Sequence, residues 1–335
     1  MNQRSNQTIV WIIGLIALSV LPFFAPSFWT IQIAAQSLIL GTIALSLVFL
    51  AGYGGMVSLA QLAVAGITGY VAAHFGVHSD PSLGTALPYG LNIPLALAAG
   101  TLFGTLIGVI AVRCQGIYMI MITLAIAVSV FYLARQNLGF FNAYNGFHGV
   151  TPPAVFGVDL RSTVPFYYLC FASAGLLFAL VSHILRTPFG LALQGTRDDA
   201  RRMRALGYNV EYVRIFAFAL AGFIAAVGGL LRLWYAGSIS PGSINVGASI
   251  MILIIAILGG LSRPIGAFAG ALLFVLIQNF AIDFIDRERF NTMIGIILLT
   301  IILFLPGGIV GLVQSIERRL KSGANSTIGQ SGVVG

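Results

Sequence analysis

The chain has 335 residues, of which 58% are hydrophobic and only 8% are charged, and its mean hydropathy is +0.98. Its apolar runs repeatedly reach the roughly 20 residues that a helix needs to cross a bilayer, so this composition excludes a soluble globular protein. The net charge is +8, but the basic residues lie between the apolar runs and form no basic stripe with stacking aromatics, so we expect no nucleic-acid partner.

Taken in chain order, the apolar runs predict an all-α integral membrane protein with about ten transmembrane helices. The predicted spans cover residues 8–24, 30–51, 56–77, 91–112, 117–135, 164–185, 214–235, 244–261, 265–284 and 290–312. Arg4 and the first run resemble a signal peptide, but no small-residue cleavage site follows, so we interpret the run as a retained span.

A long outer loop at residues 136–163 divides the spans into two sets of five, which would make the two halves inverted in topology. Residues 1–321 are expected to form one transmembrane domain. Residues 322–335 are rich in Gly, Ser and Val without periodicity, which predicts a disordered tail.

Glycines are concentrated around the third span and between the eighth and ninth spans. Such clusters indicate either close helix packing or broken and short helices whose freed backbone lines a polar path. Both interpretations remain open from the sequence. The clusters are Gly52, Gly54, Gly55, Gly66 and Gly69, and Gly259, Gly260, Gly266 and Gly270.

The segment 186–214 between the sixth and seventh spans holds six of the arginines. Because basic loops are retained on the cytoplasmic side, this loop orients the protein and predicts that both termini are cytoplasmic. The resulting arrangement puts twelve basic and four acidic residues inside, with five of each outside.

Several kinds of chemistry are missing from the sequence. Lys321 is the single lysine, so no Walker A phosphate loop exists, and no catalytic triad, metal-ligand cluster or cofactor motif is found. We therefore predict neither an enzyme nor a metal or cofactor site. The span interiors hold almost no ionisable side chains, and Arg232 is expected to snorkel to the outer interface. An ion-coupled carrier would need intramembrane charge, so energy for transport must come from partner proteins.

Three polar residues within predicted spans are candidates for lining a translocation path: Ser58, Gln61 and Thr123. Each could instead form a hydrogen bond to a neighbouring helix.

Ordered segments along the chain resemble the LivM family of permease subunits of branched-chain amino-acid ABC importers. They include AGYGGMVSLAQLAVAGITGYVAA at residues 51–73, QGIYMIMITLAIA at 115–127, RTPFG at 186–190, RALGYNV at 204–210 and LPGGIVGL at 305–312. The resemblance implies transport of branched-chain amino acids, and relatives of the family that import urea or short amides give the second possibility. A secondary carrier or a non-transporting membrane scaffold is the alternative from another class.

The resemblance also implies partners and a location. These are a second, similar permease, two cytoplasmic ATPase subunits, a periplasmic or extracellular solute-binding protein, and the lipid of a bacterial inner membrane. A short helix over residues 196–206, ended by Gly207 in a left-handed cap, is expected to dock on the ATPase. The residues expected to couple to the ATPase are Arg197, Asp198, Asp199, Arg202, Arg204, Leu206 and Gly207.

Overall fold

The computed structural model describes residues 26–76, 87–114, 116–155, 158–281 and 308–311, together with the single residues Pro22 and Gly295. Almost all of the predicted first span, most of the tenth and the predicted tail lie outside these ranges.

The described part of the chain is mainly helical. Its helices are α1 Phe28–Tyr53, α2 Gln61–His74, α3 Tyr89–Ala111, α4 Ile117–Gln136, α5 Leu138–Phe141, α6 Thr163–Ile184, α7 Pro188–Asp198, α8 Ala200–Ala205, α9 Val210–Ala236, α10 Val246–Gly259 and α11 Ile265–Ala281. Two antiparallel pairs of two-residue strands, β1 with β4 and β2 with β3, complete it: β1 Phe147–His148, β2 Ala154–Val155, β3 Val158–Asp159 and β4 Ser238–Ile239.

Five helices are long and apolar enough to cross a membrane, namely α1, α3, α4, α6 and α9. Helices α10 and α11 are apolar but shorter, and α2 has only 14 residues. Large apolar side chains on the outer surface of α3, such as Leu102 and Leu106, are more than half exposed, as lipid contact requires. The prediction of an all-α, multi-pass membrane protein is confirmed, whereas the described residues do not establish a count of ten spans.

The long helices run between two ends of the molecule. The arginine end comprises residues 54–60, 112–114, 116, 185–209 and 260–264, and it is joined by a hydrogen bond from the Tyr53 hydroxyl to the Ser262 carbonyl (3.1 Å). The strand end comprises residues 75–76, 87–88, 137–155, 158–162 and 237–245, where β1 pairs with β4. The spans therefore alternate in direction, as the sequence predicts.

Helix α9 lies at the centre, and glycines bring its neighbours close. Gly104 of α3 faces Gly222 of α9, where a Cβ would come within 2.7 Å of the Gly222 Cα. Gly228 of α9 faces Ile43 of α1 in the same way, with 2.6 Å from a Cβ to Ile43 Cγ1. Small residues at such crossings allow the dense packing that replaces the hydrophobic effect within a membrane.

The glycines between the eighth and ninth predicted spans serve the same purpose. Gly259 of α10 would overlap the backbone of Gly266 if it carried a Cβ, and Gly270 of α11 would overlap the carbonyl of Ile255. These glycines therefore pack α10 against α11. Of the predicted broken or short helices, this cluster shows short ones, because Gly259 ends α10 and α11 begins five residues beyond Gly260.

The described halves repeat one pattern. A long helix is followed by a shorter one in α1 and α2 and again in α9 and α10, and the two pairs run in opposite directions between the two ends. In each pair a non-helical segment precedes the shorter helix. We name residues 54–60 the first break and residues 237–245 the second break.

Candidate translocation site

The first break carries the chain back into the protein without a helix. Gly55 has φ +66°, a left-handed conformation that favours glycine, and the Met56 N–H donates to the Leu50 carbonyl at 3.0 Å. Met56 and Ser58 are fully buried. The predicted third span at residues 56–77 is therefore wrong at its start, since helix α2 begins only at Gln61.

Thr123 of α4 supports this irregular backbone. The Leu59 N–H donates to the Thr123 hydroxyl oxygen at 3.1 Å, and that hydroxyl donates in turn to the Met119 carbonyl at 2.9 Å. The Ala60 N–H donates to the Ser58 hydroxyl at 3.3 Å. Non-helical backbone at membrane depth survives only where protein or a polar cavity satisfies it, and these two hydroxyls do so.

Gln61 opens α2 with its side chain 2% exposed, and its Oε1 accepts no hydrogen bond from any residue that the structure describes. A buried amide oxygen without a donor costs about 1–3 kcal/mol, so this atom is available to a bound solute or water. The structure thus brings Ser58 and Thr123 to one segment and puts Gln61 at its end.

The second break enters from the strand end. Helix α9 ends at Gly237 with φ +62°, β4 follows, and a 3₁₀ turn at Pro241–Ile244 leads to Asn245, whose Oδ1 accepts from the Ala248 N–H at 2.7 Å and caps α10. The second break packs against the helix that follows the first, because Ile244 lies directly on Gly66 of α2. Sequence reasoning missed this break as a partner of the first and took it as an ordinary loop, although Pro241 and the serines around it are turn signals.

The arginine end connects directly to the first break. Arg197, the penultimate residue of α7, donates from Nη1 to the Gly52 carbonyl at 2.6 Å, and its side chain packs on Gly55 at the start of the break. Leu193 of the same helix lies against Gly54. The loop predicted to couple to the ATPase and the Gly-rich segment predicted to pack closely or line a path therefore form one contact.

Residues 186–214, which we name the arginine loop, contain two short helices, α7 and α8. Thr187 caps α7, accepting from the Gly190 N–H at 3.4 Å, and Pro188 occupies the first turn. Asp199 then interrupts the helix with φ −153° and caps α8, accepting from the N–H groups of Arg201 (2.9 Å) and Arg202 (3.0 Å). These bonds, with that from Arg202 the stronger influence, hold the pKa of Asp199 below its usual value.

The single helix expected over residues 196–206 is therefore wrong, because Asp199 cannot continue α7 while its side chain caps α8. The ending at Gly207 agrees with the structure: its φ is +88°, and the Tyr208 N–H donates to the Met203 carbonyl at 3.1 Å. The remaining predicted coupling residues, Asp198, Arg202, Arg204 and Leu206, are exposed. Leu206 is 67% exposed, which leaves an apolar contact point beside the charges.

The structure also assigns Arg232 a position that the sequence did not predict. It lines a cavity between α2, α9 and the second break with Ser238, Ser240 and Ser243. The prediction that its side chain only snorkels to the outer interface is therefore incomplete. Within the described ranges, no three side chains of the His, Cys, Asp and Glu types are grouped as metal ligands.

Apolar spans, two breaks between helices, and a charged amphipathic loop define a multi-pass membrane transport protein. Residues 29–305 match the family model described as the permease component of branched-chain amino acid transport systems. The chain belongs to this family of ABC transporter permeases, and the resemblance noted from its motifs is confirmed.

Curated relatives are similar over most of their length. The chain is 25% identical to the high-affinity branched-chain amino acid transport system permease protein LivM of Escherichia coli, covering 94% of this chain and 77% of the relative. It is 24% identical to the ribose import permease RbsC of Haemophilus influenzae (92% and 94%). It is 26% identical to the autoinducer 2 import permease LsrC of Yersinia pestis (90% and 85%). No solved structure matches the chain.

Proposed function

We propose that this protein is the permease subunit of an ABC importer for branched-chain amino acids, driven by ATP hydrolysis on partner subunits. The supporting observation is the hydrogen bond from Arg197 to the Gly52 carbonyl. It ties the exposed loop, which an ATPase could contact, to the buried segment that carries Ser58. A movement of α7 would therefore change the first break directly.

The proposed partners are a second permease, two cytoplasmic ATPases that contact the arginine loop, and a solute-binding protein at the strand end. Of the eleven arginines that the structure describes, eight lie at or beside the arginine end and three at the strand end. This asymmetry favours a cytoplasmic arginine end in a bacterial inner membrane, with both termini cytoplasmic.

The proposed path runs beside Ser58, Gln61 and Thr123. These groups are polar but uncharged, so they would let a solute pass without holding it tightly, and selection would fall to the binding protein. Urea and short amides remain the second solute class, and the names of the relatives add ribose and autoinducer 2. A non-transporting scaffold would have no use for a buried, unpartnered amide at a helix break.

The coupling role is tested with Arg197→Met in the complete transporter reconstituted in liposomes. We expect ATP hydrolysis to continue while solute uptake per ATP falls about tenfold, because the charged hydrogen bond to Gly52 is lost. Arg201→Met is the matched control, since Arg201 is an exposed arginine of the same loop outside the contact with Gly52. Equal uptake per ATP in both variants would refute the proposed connection.

The path is tested with Gln61→Leu, which keeps the side-chain volume and removes the unpartnered amide. We expect uptake to fall while assembly and the affinity of the binding protein stay unchanged. Gln278→Leu is the control, because its Oε1 is also buried without a partner among the described residues, on α11 away from both breaks. Normal uptake by Gln61→Leu would place the path elsewhere.

A further inference from the structure

A cavity of about 140 Å³ lies at the strand end, bounded by α2, α9 and the second break. We name it the Arg232 cavity. Arg232 and three serines form its polar side, and the Ser243 hydroxyl donates to the Ser240 carbonyl at 2.7 Å, which fixes the shape of the turn. The opposite wall is apolar and includes Leu62 and Ile244.

Among the described residues that line this cavity, none gives the guanidinium of Arg232 an acidic neighbour. Both ion pairs found in the described part of the chain join residues of the arginine loop, at the other end of the molecule. No hydrogen bond from Arg232 occurs within the described ranges, and none of the lining residues is Asp or Glu. An arginine four residues inside the end of a membrane helix is expensive to leave unpaired, so its position calls for an anion.

We propose that the Arg232 cavity binds the carboxylate of a small aliphatic solute on its way through the protein. This rests on the proposed permease function and narrows its substrate class. A guanidinium presents parallel N–H donors that match a carboxylate, and the serine hydroxyls can supply further donors. The apolar wall opposite them accepts a short hydrocarbon chain.

The cavity has room for a small solute. Its volume of about 140 Å³ accommodates a carboxylate with a few carbons. Its location favours a transported solute over a structural ion, because it lies between α2 and the second break. Transporters bind substrate where discontinuous helices of two repeats meet.

The first experiment compares two probes of the same shape in the assembled transporter, held in nanodiscs without its binding protein. Isovalerate carries a carboxylate, and isovaleramide is its uncharged counterpart. Titration by saturation-transfer NMR should give saturable binding of isovalerate, and Arg232→Gln should weaken it about tenfold or more. Arg135→Gln, which removes an exposed strand-end cation stacked 4.9 Å over Tyr144, should leave it unchanged.

A second variant keeps Arg232 and fills the cavity with a larger side chain. Ser240→Leu should fill the cavity and weaken isovalerate binding to a similar degree, and it decides the question alone if Arg232→Gln fails to assemble. Equal binding of both probes to the unaltered protein, or unchanged isovalerate binding in a folded variant, would overturn the site. So would absent isovalerate binding together with loss of the second permease from Arg232→Gln, since Arg232 would then pair with that subunit.

Failure of the carboxylate site and failure of the proposed permease function give different results in these experiments. A transporter that imports an uncharged solute with ATP but does not bind isovalerate remains a permease without a carboxylate site. A complex that binds isovalerate but shows no ATP-driven uptake of any solute would instead remove the proposed function.

Discussion

The two breaks in the helical frame have the same position in their respective halves but different surroundings. The first is mostly buried, contains no charge, and is held by Thr123 and by Arg197 of the arginine loop. The second is partly exposed, lies beside Arg232, and is held by its own turn, by the Asn245 cap and by the pairing of β4 with β1. From this difference we propose that the first break links the path beside Ser58 to the ATPase side, whereas the second break contacts the solute at the Arg232 cavity.

A rigid first break and a tolerant second break should respond differently to added volume. Gly52→Val, in the last turn of α1 that leads into the first break, would overlap the backbone carbonyl of Leu261, which cannot rotate away, so we expect a loss of about 3 kcal/mol in stability. Gly242→Val in the second break meets only the Ser240 hydroxyl at 3.7 Å and should change stability by less than about 0.5 kcal/mol. Thermal unfolding in detergent measures both, and equal losses would break the comparison.

The hydrogen bond between Thr123 of α4 and the first break should contribute more to stability than a threonine hydrogen bond within a single helix. Thr123→Val leaves the buried Leu59 N–H without an acceptor and should cost about 2 kcal/mol. Thr105→Val is the control, because the Thr105 hydroxyl only donates to the Thr101 carbonyl of its own helix (2.8 Å). If the two variants unfold at the same temperature, Thr123 does not support the break.

The second break depends on a local cap. Asn245→Ala removes the acceptor of the Ala248 N–H and should cost about 1 kcal/mol. Asn245→Asp preserves an acceptor and should restore most of this loss in the same unfolding assay. A cost as large as that of Thr123→Val would show that the two breaks are held with equal strength.

The smallest effect is expected at the arginine loop as pH changes. The lowered pKa of Asp199 means that its cap stabilises α8 above the unfolded pKa of about 3.9 and is lost as pH falls through the still lower folded value. Hydrogen exchange of residues 200–206, corrected for intrinsic rates, should be constant from about pH 5 to 8 and rise only below about pH 4. Asp199→Asn should remove that step, whereas Asp198→Asn should retain it.

The sequence predicted the long helices well. The expected spans at residues 91–112, 117–135 and 164–185 each fall within two residues of α3, α4 and α6 at both ends. Their apolar runs are continuous and end at polar or turn residues, so hydropathy alone is enough to predict where these helices begin and end.

The two breaks were harder to predict from the sequence than the long helices. Met56, Leu59 and Ala60 are apolar, so the hydrophobic run continues through the first break although the helix does not. What holds this backbone is a hydroxyl 64 residues away, which no local pattern reveals. The grouping of Ser58 with Thr123 was expected, but the Arg232 cavity was not, because it forms only when α2, α9 and the second break pack together.

The contacts of the first break also determine when it can form during synthesis of the chain. The Leu59 N–H can bond to Thr123 only after 64 more residues are made, and the Gly52 carbonyl can bond to Arg197 only after 145 more. At about 5–20 residues per second, that second delay is on the order of 10 seconds. Until these partners are made, the nascent segment enters the membrane with the Leu59 N–H and the Gly52 carbonyl lacking them, so a translocon or its water must shelter the two groups.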